Sequence, residues 1–217
     1  MKRLPLAERR AHLVDVALHI AARSGLDGVT VRAVAREAGV SLGTVHYCFE
    51  DKDELLREMG RALVAVAVDP VLEVTQIDAD FRTLIHAAAD GLMAGLRDMA
   101  ARRLLSFELS TAGARSAAMG EVARAHIAQV YDMTQGVLTE LARRAGVTYR
   151  IDPALLARVV AAFVDGIELR WLVEEDDAAT VAAFHELADI VVSYVASEGR
   201  TVTESAQVPA TPRTASE

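Results

Sequence analysis

The sequence predicts an all-α protein, and three observations carry that expectation. Apolar residues recur at helical spacing along almost the whole chain, while the alternation that marks half-buried strands is absent. Gly and Pro stand far apart. Apolar residues make up 52% of 217, with Ala, Val and Leu dominant and aromatics at only 5%, which favours helices packed closely on small side chains. The expected architecture is a three-helix head over residues 1–51, a helical body over 52–198 and a disordered tail over 199–217, about nine helices in all.

The first helix is expected over about Leu6 to Ser24, with Leu13, Ala17, Ile20 and Ala21 inward and Gly25 ending it. In the next stretch Val31, Val34, Ala35 and Ala38 share one face of a short helix, with Thr30 placed as its N-cap and Gly39 as its stop. Ser41 can cap a third helix through Gly43, Thr44, Val45, His46 and Tyr47. Two short helices joined by a three-residue turn with Gly make a helix-turn-helix, whose second helix enters a DNA major groove.

A fourth helix starts near Lys52 and carries Leu55, Leu56, Met59, Leu63 and Val66, continuing past Pro70 only with a kink or break. A fifth is expected over about Ala79 to Met99 and a shorter sixth over residues 101–112. The seventh spans about Ser116 to Ala145, and Gly146 ends it. The eighth follows Asp152-Pro153, a cap and a first-turn proline, and the ninth covers about Ala178 to Ser197. Residues 199–217, rich in Thr, Ser, Ala and Pro, show no periodicity.

Within the head, Gly39-Val40-Ser41, Gly43-Thr44, Tyr47, Phe49, Lys52 and Leu55-Leu56 resemble, in order and spacing, the signature of the TetR (tetracycline-repressor) family of bacterial transcription regulators. The resemblance is specific over residues 8 to 60 and general beyond them. One position departs from the pattern: Cys48 stands where the family commonly has an aromatic or His.

The resemblance implies a regulator, most commonly a repressor, that holds a palindromic operator as a homodimer and leaves it when a small molecule fills the body. By the motif match, Lys52 and Tyr47 hold phosphates with Thr30 assisting, while Thr44 and His46 reach base edges and Leu42 offers apolar contact to thymine methyls. Gly43 allows close approach of the helix, and Arg32 and Ser41 complete the DNA-contact set.

Charge distribution agrees. The net charge is −8, yet residues 1–47 carry seven basic and four acidic side chains, net +3, and the remainder 16 basic and 27 acidic, net −11. A basic head on an acidic body fits a protein that touches phosphate at one end only. A single cysteine excludes an internal disulfide and suits a reducing compartment. No apolar run follows Lys2 and Arg3, so no signal peptide is read. Residues 154–173, the most apolar stretch, contain Arg158, Asp165, Glu168 and Arg170, which a membrane span would not carry. A cytoplasmic protein is expected.

The eighth helix is apolar nearly all round and must be covered on both sides. The ninth presents Val181, Phe184, Leu187, Val191 and Val195 as a second stripe. A large monomeric bundle and a dimer both fit this pattern. The resemblance implies a dimer through the last two helices, with Phe184, Leu187 and Val191 at the seam.

For the effector, the resemblance implies a cavity among the fifth to eighth helices, with Phe107, Glu108, His126, Met133, Phe163 and Asp165 as candidate ligand-binding residues. Its Leu, Met, Ala, Val and Phe lining suggests a bulky, largely apolar effector. His126, on a stripe with Val122, Val130 and Met133, reads either as a core histidine with a partner or as a cavity group. Asp165 and Glu168 need partners if buried. Arg102, Arg103 or Arg170 could supply them, or the carboxylates could join Trp171 around a cationic ligand.

Other classes are weaker. Gly39-Val40-Ser41-Leu42-Gly43 fits the G-x-S-x-G hydrolase pattern, but that elbow needs a strand before the Ser, and a helix end precedes it here. A helical enzyme using His126 and Glu108 would leave the basic head unexplained. The six histidines form no zinc-ligand spacing, so neither a metal nor a cofactor is expected. His86 and Asp90, with Arg82 and Arg97 on their face, read as a solvated surface.

Overall fold

The computed structural model describes residues 5–115 and 117–196; the expected tail at 199–217 lies outside them. Eight α-helices are present among the described residues: α1 Leu6–Ser24, α2 Val31–Glu37, α3 Leu42–Cys48, α4 Lys52–Val74, α5 Phe81–Arg115, α6 Gly120–Ala145, α7 Pro153–Glu174 and α8 Asp177–Ser193. Short 3-10 turns cover Leu26–Gly28 and Ala117–Met119. The described residues contain no strand beyond an isolated bridge between Tyr149 and Val195, so the all-α expectation holds.

Local chemistry sets most boundaries. Thr30 accepts from the Ala33 N–H at 3.0 Å, Ser41 from Thr44 at 3.1 Å and Asp51 from Glu54 at 2.7 Å, each relieving an orphan donor of a first turn. Glu54 also accepts from the Glu50 N–H at 2.7 Å, which holds the residue before the cap against the first turn. Asp152 caps α7, with Pro153 in its first turn. Gly39 has φ 65°, the left-handed conformation that ends α2 and turns the chain into α3.

One expectation needs correction. The separate fifth and sixth helices are one helix, α5, because Met99-Ala100-Ala101 contains no breaker. Of the two courses expected for the fourth helix, a break is not seen: it runs on to Val74, only about one turn beyond residue 70.

Two apolar cores follow. The first joins α1–α4 through Leu13, Ala17, Val34, Val45, Phe49 and Leu55, and it extends into the body through Leu105, Leu109 and Val122. The second joins α5, α6, α7 and α8 with Val71 of α4. Because α4 packs against α1, α5 and α6, it physically connects the head to the body. Arg10 of α1 secures its start: the guanidinium bonds Glu54 at 2.8 Å and Glu58 at 2.9 Å, donates to the Cys48 carbonyl and lies 4.7 Å over the Phe49 ring.

Candidate functional site

The helix-turn-helix presents one open face. Val45 and Cys48 of α3, and Phe49 after it, are buried in the first core. Burial also raises the Cys48 thiol's pKa, against the opposing pull of Arg9 and Arg10. With that side anchored, Leu42, Gly43, His46 and Tyr47 are turned outward; Tyr47 is 69% exposed, far more than a tyrosine with an internal role would be. Thr30 and Arg32 flank this face from the start of α2, and Lys52 from the first turn of α4. Thr44 is half-buried, and its hydroxyl lies 2.9 Å from that of Ser41, so α3's first turn is braced from within. A Cβ at Gly43 would meet only Ser41 Oγ, at 3.7 Å, which leaves the surface there free of side-chain bulk. The nine residues expected at the DNA lie at the starts of α2, α3 and α4 and along α3.

In the body, α4 to α8 enclose a cavity of about 150 Å³. Val64 and Val71 line it from α4, Met133 from α6, and Phe184, Leu187 and Val191 from α8. Its polar lining residues are Arg103, Thr134, Asp165 and Glu168. Thr134 donates its hydroxyl to the Val130 carbonyl at 2.8 Å. Arg103 bonds Asp165 at 3.3 Å, pairs with Glu168 and stands 5.6 Å over the Phe107 ring. Arg103 is therefore the partner that the two carboxylates of α7 require. A groove between α4 and α6 shares Val64, Met133 and Val137 with the cavity.

Of the ligand residues expected from the sequence, Met133 and Asp165 line this cavity, and the other four are placed elsewhere. Phe107 lies beneath Arg103. Glu108 turns toward the head, where its carboxylate accepts from the Leu26 N–H at 3.4 Å. His126 is buried, with Nε2 2.8 Å from Ser106 Oγ. Burial, reinforced by the positive Arg103, drives its pKa down to about 4, so its ring is neutral near pH 7. Phe163 is 49% exposed on the outer face of α7.

Phe184, Leu187 and Val191 require the opposite correction. They are at most 5% exposed within the single chain and face the cavity, so they are not available to a surface seam. The apolar side chains left open on the last two helices are Leu155, Phe163, Leu169 and Val173 of α7 and Ile190 of α8. Trp171 does not join a cationic box either: its indole N–H donates to Asp177 at 2.7 Å and ties α7 to the start of α8.

His126 and Glu108 have different partners, Ser106 and Leu26, and do not form a catalytic pair. His86 departs from the solvated-surface expectation. Its Nδ1 meets His185 Nδ1 at 2.7 Å, while Asp189 and Asp90 take the outer nitrogens of the two rings at 3.0 and 2.9 Å, clasping α5 to α8. Sequence periodicity misses this clasp because its members are about a hundred residues apart. Among the described residues, no group of three or more His, Cys, Asp or Glu side chains is arranged to hold a metal ion, and no helix is long and apolar enough to cross a membrane.

A helix-turn-helix head, continued by α4 and packed through a shared core onto a body with an internal cavity, defines a DNA-binding protein with room for a ligand. Residues 13–59 match the family model of bacterial regulatory proteins, tetR family. The HTH-type nicotine-responsive transcriptional repressor HdnoR of Paenarthrobacter nicotinovorans is 27% identical over 175 residues, covering 81% of this chain and 89% of that protein. The crystal structure of multidrug binding protein EbrR complexed with imidazole matches with TM-score 0.60 at 28% identity, over 82% of this chain and 94% of that one. A transcriptional regulator from Rhodococcus sp. Rha1 shares the fold, with TM-score 0.63 at 23% identity over 86% and 97% of the two chains. The head thus matches the DNA-binding region of the TetR family of bacterial transcriptional regulators, and the chain as a whole is similar to regulators of that kind in fold.

Proposed function

We propose that the protein is a cytoplasmic repressor that binds a palindromic operator as a homodimer and is released by a small, largely apolar effector. The observation that carries this reading is the course of α4. It begins at Lys52, directly after the helix-turn-helix, and further along the same helix Val64 and Val71 form part of the cavity wall. A ligand that repositions that wall moves the head. By linkage, a ligand that prefers the arrangement with the wrong head spacing weakens operator binding by the same factor that the operator weakens ligand binding.

In this reading Thr30, Tyr47 and Lys52 hold phosphate, with Arg32 beside them, and Leu42, Thr44 and His46 face base edges while Gly43 permits close approach. The open apolar face of α7 with Ile190 of α8 meets the same face of a second copy and sets the two heads one helical turn of DNA apart. Domain roles follow: residues 1–51 read DNA, and 52–198 bind the effector and the second subunit.

The test is a selection of binding sites from random duplexes, followed by a screen for stabilising compounds. The expected result is a two-fold symmetric consensus, with affinity reduced by compounds that bind the body. Compounds that bind the body tightly yet leave DNA affinity unchanged would remove the effector switch, and an asymmetric single half-site would remove the homodimer.

A further inference from the structure

The polar groups of the cavity are unbalanced. Its wall is apolar except for Thr134 and the cluster of Arg103, Asp165 and Glu168. Thr134 spends its hydroxyl proton on the Val130 carbonyl. One guanidinium faces two carboxylates, and Arg103 serves both of them. A carboxylate pair carries two negative charges and about eight lone-pair sites, whereas Arg103 brings one positive charge and five N–H donors. Apart from the Arg103 Nε–H, which has no hydrogen-bond partner among the described residues, what the cluster has left to offer a ligand is acceptor capacity, Glu168 Oε2 included, and one negative charge.

The two carboxylates are not equivalent. The Glu168 side chain is 5% exposed and paired with an Arg103 side chain that is itself 13% exposed, a buried couple that costs too much to break for a ligand's sake. The Asp165 side chain is 47% exposed, lines the cavity and reaches Arg103 at the longer 3.3 Å. It is the carboxylate free to turn to a second partner. The neutral ring of His126, held by Ser106, adds no competing charge.

We infer that the effector is an apolar molecule bearing one cationic donor, a protonated amine or amidine, which pairs with Asp165 while its apolar part fills the space between α4, α6 and α8. The Arg103–Glu168 pair holds Asp165 in place for that contact and compensates the rest of the cluster. An anionic effector is disfavoured, because it would have to displace two carboxylates from the single guanidinium. This inference rests on the reading of the cavity as the effector site.

A matched series tests it: a phenylalkylamine, the phenylalkanol of equal length and the corresponding phenylalkanoate. Binding to the full-length wild type, Asp165→Asn and Glu168→Gln is measured by calorimetry, with thermal melting alongside. The amine is expected to bind wild type about tenfold or more tighter than the alcohol, the scale of one charge-assisted contact. Asp165→Asn should abolish that preference and leave the alcohol's affinity unchanged. Glu168→Gln, where it folds, should retain most of it. Amine and alcohol binding equally to wild type would overturn the cationic class and leave the cavity reading standing, and so would tighter binding of the carboxylate. An amine preference that survives Asp165→Asn would overturn the assignment to Asp165. No binding by any of the three would overturn the cavity reading together with this inference.

Discussion

Ser106 on α5 and His126 on α6 meet inside the protein, Oγ to Nε2 at 2.8 Å, with both side chains buried. Helix α4 closes the other side of the ring so tightly that a Cβ at Gly60 would stand 3.1 Å from His126 Nδ1. The pair therefore pins three helices together where the head's core passes into the body, next to Leu109 and Val122. This is a core histidine with a partner, and it predicts a stability phenotype.

His126→Leu should leave Ser106 without its partner and cost about 1–3 kcal/mol, with little change in which ligands bind. The pH dependence has a definite sign. The folded-state pKa, about 4, lies below the ordinary 6.5, so protonation favours the unfolded chain. Stability from this group is complete above 6.5 and is lost as pH falls toward about 4, by roughly 3 kcal/mol in all. Urea midpoints measured across that window should fall more steeply for wild type than for His126→Leu.

At the DNA-facing region, Gly43→Leu should fold normally, since its first added atom meets only Ser41 Oγ at 3.7 Å. It should lose operator binding because the new side chain keeps α3 out of the groove. Helical content and melting temperature check the first half, and footprinting checks the second. Protection of the operator by this variant would show that α3 docks some other way.

Lys52→Ala should act differently from Thr44→Ala. Loss of a phosphate contact weakens binding on every sequence alike and reduces the salt slope by about one unit. Loss of a base contact should relax the preference at one symmetric position in each half-site, at about 1–3 kcal/mol of discrimination. Site selections with the two variants, beside salt titrations, separate these outcomes.

Phe163 and Phe184 make a contrasting pair on neighbouring helices, the first 49% exposed and the second 1%. Phe163→Arg should give a folded monomer with much weakened operator affinity, because each head then holds its half-site alone. Phe184→Arg should instead unfold the body, since a charge would replace a core ring without a partner. Sedimentation and circular dichroism on both variants would tell the two apart. A dimer that survives Phe163→Arg would move the seam off this face.

How much of this was legible in the sequence depends on whether the deciding chemistry is local. Thr30, Ser41, Asp51 and Asp152 cap helices through N–H groups two or three residues away, so their roles could be read directly. The unity of α5 could not. Leu96 belongs to one core and Leu105 to the other, and a stripe that changes face imitates a helix end. The assignments of Phe163 and Phe184 failed for a related reason: on helices apolar nearly all round, periodicity does not say which side turns inward. The clasp of His86 and His185, and the choice of Arg103 as partner to both Asp165 and Glu168, depend on contacts between distant helices that no spacing records.

The central claim is that the cavity and the DNA-facing region are coupled through α4. The most direct measurement is operator affinity titrated against a compound that raises the melting temperature of the body, for wild type and for Val137→Phe, which fills the cavity from α6. In wild type, affinity should fall as compound is added and level off at a fixed factor, about 5- to 150-fold for a typical coupling free energy. The same factor should weaken compound binding when operator is in excess. Val137→Phe should hold the operator and ignore the compound. Operator affinity that stays constant through saturation of wild type with a stabilising compound would contradict the coupling.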